Sequence, residues 1–72
     1  MKNTFELLIT YADYRQGFVA EIWANNTHVG EVYTDENNLK KLDIFRFESE
    51  ALSLDLSDFL LILKEADERL AS

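Results

Sequence analysis

His28 is the only histidine in the chain, and it is the first residue to weigh for proton-transfer chemistry because imidazole titrates near neutral pH. A general base needs a nucleophile or a reacting group beside it. The serines available are Ser49, Ser53, Ser57 and Ser72, and none sits in the glycine-flanked strand-to-helix turn that exposes a nucleophilic hydroxyl. The chain contains no cysteine, which excludes thiolate nucleophiles, disulfides and the Cys/His zinc sites. Alone beside a turn, His28 reads as an ordinary residue at a strand end.

Carboxylates are the other source of chemistry. Asp35 with Glu36, or Glu48 with Glu50, could approach a hard cation, but calcium loops need several oxygen ligands at set spacing and a turn glycine. No such loop is present, so these side chains read as solvated charge, and no metal or cofactor is expected. Gly17 and Gly30 are isolated, which leaves no glycine-rich cradle for phosphate. The rings of Tyr11, Tyr14, Trp23, Tyr33, Phe45 and Phe47 could stack on bases. Single-strand binders set such rings in a positive groove, and the strand segments here offer little beyond Lys41 and Arg46.

Charge points toward a different class of partner. Fourteen acidic residues against seven basic ones give a net charge of −7 over 72 residues. That balance argues against binding to nucleic-acid backbones, which calls for clustered Lys and Arg. It suits either solubility or a basic protein partner met by electrostatic steering. Asp35, Glu36, Glu48, Glu50 and Asp58 are the candidate steering residues, with Trp23 or Tyr33 as a buried anchor.

The elements that must position these residues follow from periodicity. Thr4 to Tyr11 alternates, with Phe5, Leu7, Ile9 and Tyr11 on one face of a strand. Asp13 to Gly17 breaks the pattern and predicts a hairpin connection, with Gly17 free to adopt a positive φ. Phe18 to Ala24 places Phe18, Ala20, Ile22 and Ala24 on one face and Val19, Glu21 and Trp23 on the other; packing of Trp23 at a sheet edge is the expectation. Asn25-Asn26 is a two-residue turn. It also opens a glycosylation sequon with Thr27, read here as part of the turn.

His28 to Thr34 returns antiparallel, and Gly30 within it signals a bulge or a close backbone approach. Lys41 to Phe47 reads as a fourth strand of mixed phase, which would suit a central position or a dimer contact. Leu54 to Leu70 reads as a helix. Asp55 caps it, Asp58 lies in its first turn, and Leu54 and Phe59 are spaced as a hydrophobic staple. Leu56, Phe59, Leu60, Leu63, Ala66 and Leu70 form the expected core stripe, flanked by Leu61 and Ile62. Glu65 and Arg69 are a favourable pair four residues apart.

These elements predict an α+β fold over 1–72 as a single domain: a four-stranded antiparallel meander with one C-terminal helix packed on one face. A chain of this length buries only about 60% of its surface and is marginal without staples. The surplus of large apolar side chains beyond one core points to an interface, including edge pairing between two copies as a homodimer. The expected function is non-enzymatic: an acidic protein-interaction module, inhibitor- or antidote-like, that docks on a basic protein site. An accessory structural subunit is the second reading, and a small enzyme or ligand carrier using His28 the third. Met1 to Glu6 lacks a secretion signal and no apolar run is long enough for a membrane span, so a cytoplasmic location is expected.

Overall fold

The computed structural model describes residues 4–45 and 53–71. Four strands, β1 (Phe5–Ala12), β2 (Gly17–Ala24), β3 (Thr27–Thr34) and β4 (Lys40–Ile44), precede one helix, α1 (Leu56–Ala71). The strands form one antiparallel sheet in chain order, and α1 packs on it across β1, β2 and β3.

Alternation along the strands builds the core. Leu7 and Ile9 of β1 stand opposite Ile22 and Ala20 of β2, and those two stand opposite Gly30 and Val32 of β3. Ala20, Ile22, Ala24, Val29 and Val32 are buried with Ala66 of the helix, and Phe59, Ile62, Leu63 and Leu70 close over them. The opposite face, called here the outer face, carries Glu6, Leu8, Glu21, Trp23, Glu31 and Tyr33.

β3 changes phase part-way. Ile22 faces Gly30, yet Trp23 faces His28, so Val29 is one residue more than β2 supplies. Such a bulge lets Val29 and Val32, three residues apart, both point into the core. It also delivers His28 to the outer face beside Trp23. Gly30 beside the bulge is required by a close approach: a β-carbon there would lie 2.5 Å from the carbonyl oxygen of Asp43 on β4. The bulge at Val29 and the close approach at Gly30 thus fall at neighbouring positions.

Four expectations need correction. The positive φ in the β1–β2 connection belongs to Gln16 (φ 55°), and Gly17 opens β2 instead. Trp23 lies on β2, an interior strand, and so is not at a sheet edge. β4 is an edge strand of the described sheet, not a central one; Leu42 and Ile44 share the helix side, and Phe47 lies outside the described residues. The helix stripe is rotated: Ile62 joins Phe59, Leu63, Ala66 and Leu70 on the core, while Leu56 and Leu60 remain 70% and 56% exposed. A flat sheet needs only the narrow stripe centred on Phe59, Ala66 and Leu70, so the flanks fall away from it.

The helix start follows its sequence signal. Asp55 Oδ1 accepts the backbone N–H of Asp58 at 3.0 Å, as an N-cap should. Leu54 and Phe59 both pack on the core. Lys40 of β4 ties down the other end, donating to the backbone oxygen of Asp67 at 2.8 Å and to its carboxylate at 2.5 Å. No helix among the described residues is long and apolar enough to cross a membrane.

Candidate functional site

The outer face divides into three regions, and the first centres on Trp23. Its indole stacks on the His28 ring, with centroids 4.7 Å apart and planes 6° from parallel. Phe45 meets the other side of His28 edge-on, also at 4.7 Å. The indole N–H donates to Glu21 Oε1 at 3.1 Å. With one face on His28 of β3 and its N–H held by its own strand, the ring is fixed in orientation.

On the β1 side of Trp23 lies a shallow hollow of about 350 Å³, lined by Glu6, Leu7, Leu8, Trp23 and Asn26. Register explains the grouping, because Glu6 and Trp23 are direct partners across β1 and β2. Leu8, the next outward residue of β1, is exposed. The hollow thus combines an aromatic wall, an aliphatic floor and one carboxylate. His28 Nε2 is buried and has no hydrogen-bond partner among the described residues; the ring's place between two aromatics makes it a spacer that holds Trp23 in position.

The second region is a polar network over the middle of the sheet. The short turn Asp13–Arg15 carries Tyr14 and Arg15 back across the outer face. Arg15 Nε donates to Glu31 Oε2, and Nη2 donates to Asp43 Oδ2 at 2.6 Å. Tyr14 Oη lies 2.5 and 2.7 Å from the two Glu31 oxygens and donates to that carboxylate. The Arg15 guanidinium also lies over the Tyr33 ring, and Tyr33 Oη donates to Asp43 at 3.2 Å. Glu31 is 1% exposed, so its charge is tolerated only because Arg15 and Tyr14 satisfy it. Burial works against the Arg15 charge, but its bonds to Glu31 and Asp43 outweigh that and raise its pKa further. The hydrogen bond to Glu31 likewise raises the Tyr14 phenol above its ordinary value.

The third region is a hollow of about 280 Å³ lined by Tyr14, Arg15, Tyr33, Thr34, Asp35 and Glu36. It lies at the end of the sheet away from the Asn25-Asn26 turn. Asp35 is committed to its own turn: Oδ1 accepts the backbone N–H of Asn37 and of Leu39, each at 2.9 Å. Its second oxygen pairs with Lys41 at 3.0 Å. The bond from Leu39, with that from Lys41, lowers the Asp35 pKa, and Asp35 in turn raises that of Lys41.

The sequence-derived candidates therefore do not converge. Tyr33, Asp35 and Glu36 border the third region, and Trp23 stands at the opposite end. Asp58 is on α1, across the sheet. Glu48 and Glu50 lie outside the described residues. Sequence reading missed Glu6, Leu8 and Asn26 around Trp23, and the Arg15–Glu31–Asp43 network. The signal for the first group was present: Glu6 and Leu8 occupy the phase of β1 opposite to its core residues, as Trp23 does on β2.

Among the described residues no three His, Asp or Glu side chains are grouped so as to hold a metal ion. No protein family, curated protein or solved structure matches the chain. What stands is a small α+β domain in which no catalytic motif or cofactor-binding group was found among the described residues.

Proposed function

We propose that this domain is a non-catalytic interaction module, inhibitor- or antidote-like, whose acidic outer face docks on a basic protein surface. The observation that supports it most directly is the Trp23 hollow. A lysine or arginine side chain of the partner fits there by its chemistry: its alkyl stem lies along Leu8, its cation meets the indole and pairs with Glu6. Cation–π contact is strongest over tryptophan and reaches about 2 kcal/mol when desolvated. The net charge of −7 supplies long-range attraction for such a partner, with Glu36 and Asp58 contributing to steering rather than to the anchor.

Trp23 is the sole tryptophan, so its fluorescence reports the site directly. Titration with a lysine- and arginine-rich peptide should change its emission to saturation, weaken as salt rises, and lose its effect in Glu6→Gln. In lysate capture, Trp23→Ala should lose a basic protein that the unmodified domain retains. A flat emission titration, together with identical captures by the two baits, would overturn the reading.

A further inference from the structure

The β4 edge carries backbone groups, charges and apolar side chains in an order that fits a second copy of this chain. We infer that two copies join antiparallel through β4, about a two-fold axis at Leu42, into a continuous eight-stranded sheet.

The backbone comes first. Phe45 N–H donates to Val29 O at 2.9 Å, and Asp35 N–H to Leu39 O at 2.8 Å. With Val32 opposite Leu42, odd-numbered residues of this segment turn their backbone groups to β3. The groups of Lys40, Leu42 and Ile44 therefore point outward, along an edge that no other strand pairs among the described residues. A two-fold dimer must pair these residues with each other.

Charge then selects the register. With Leu42 opposite its own copy, Lys41 of each protomer stands directly opposite Asp43 of the other, giving two symmetric ion pairs. Sliding by one step in either direction sets Lys41 against Lys41, or Asp43 against Asp43. Like charges directly opposite are destabilising, so the neighbouring registers are disfavoured. Lys41 and Asp43 remain half-exposed despite their internal partners, which leaves them able to reach across.

The apolar side chains agree. On the helix side, Leu42 and Ile44 are 36% and 64% exposed. Leu56, Leu60 and Asp67 lie on one flank of α1 by their spacing, and the bond from Lys40 to Asp67 turns that flank toward β4. Leu56 and Leu60 thus lie on the β4 side of α1, as Leu42 and Ile44 lie on the helix side of β4, and all four are at least 36% exposed. In the chosen register Ile44 meets the alkyl stem of the second copy's Lys40.

The charge distribution points the same way. On a chain of net charge −7, β4 carries Lys40 and Lys41 against one aspartate, Asp43, so its own side chains do not add to the repulsion between copies. The other edge, β1, has Glu6 as its one charge and offers no complementary pair.

The test is the solution mass of the full chain by sedimentation velocity. The unmodified protein should sediment at twice 8.4 kDa. Leu42→Glu and Leu42→Lys should each be folded monomers by circular dichroism, and an equimolar mixture of the two should restore the dimer. Should either variant fail to fold, amide exchange on the unmodified chain decides: protection at Leu42 and Ile44 should rise with protein concentration. A monomeric unmodified protein, concentration-independent exchange at these amides, or a dimer lost through Leu8→Glu on β1 instead would each overturn the inference. The β4 edge and the Trp23 hollow fail separately: a monomer that still binds basic peptide removes only the dimer, and a dimer that ignores the peptide removes only the docking role.

Discussion

The guanidinium carbon of Arg15 lies 3.4 Å from the centroid of the Tyr33 ring, while its nitrogens bond Glu31 and Asp43. One side chain from a connecting turn thereby joins the two final strands of the sheet. It does so through a flat stacking surface and a forked donor at once, a combination that lysine lacks.

Removing that side chain should be costly. Arg15→Met leaves Glu31 buried without its cation, and breaking a buried pair in this way costs about 3 kcal/mol. Against the ~3–5 kcal/mol that a single core of this size supplies, that is most of the stability. Urea denaturation should show it directly, with Arg15→Lys intermediate. Adding Glu31→Leu to Arg15→Met should recover part of the loss, since the orphaned charge is gone.

Tyr14 predicts an alkaline limit. Its phenol is raised above the ordinary value of 10.0 by the bond to Glu31, so the fold favours the protonated form. That contribution is complete below pH 10 and is lost as pH climbs through the raised value. Melting temperatures from neutral pH upward should fall less steeply for Tyr14→Phe than for the unmodified chain, although Tyr14→Phe starts lower. Parallel curves would contradict the assignment.

Gly30→Ala should strike the β3–β4 pairing. The new methyl would meet backbone, the Asp43 carbonyl at 2.5 Å, and backbone cannot rotate away. Overpacking of this kind costs about 1–3 kcal/mol. The loss should appear first as faster amide exchange along β4, before global unfolding.

Gln16→Gly should act in the opposite direction. Gln16 holds φ 55° in the left-handed region, where a side chain costs roughly 1–2 kcal/mol and glycine costs little. Part of that gain is offset by the freer unfolded chain. A rise of up to about 1 kcal/mol in chemical denaturation is expected.

Sequence periodicity revealed the fold because local signals agreed with one another. The phase of Phe5, Leu7 and Ile9, the Asn25-Asn26 turn, and the Asp55 cap each required no knowledge of distant residues. What periodicity could not show was set by partners far along the chain. Which leucines of α1 face the sheet depends on how wide that sheet is, so Leu56 and Leu60 were misplaced. Arg15 meets Glu31 and Asp43 at separations of 16 and 28 residues, and no spacing rule links a turn arginine to them. Trp23 was singled out for its type, but its neighbours Glu6 and Leu8 required the β1–β2 register.

The strand order has a consequence for how the chain is made. Each strand pairs with the one translated just before it, so the hairpins can close as they emerge. The sixteen residues of α1, however, are synthesised after all four strands. Until they arrive, Ile22, Val32 and their neighbours form a naked apolar sheet with two open edges, the state most exposed to misassembly during synthesis. Self-repulsion from the chain's negative charge would then protect its unfinished copies from one another while the helix is still being made.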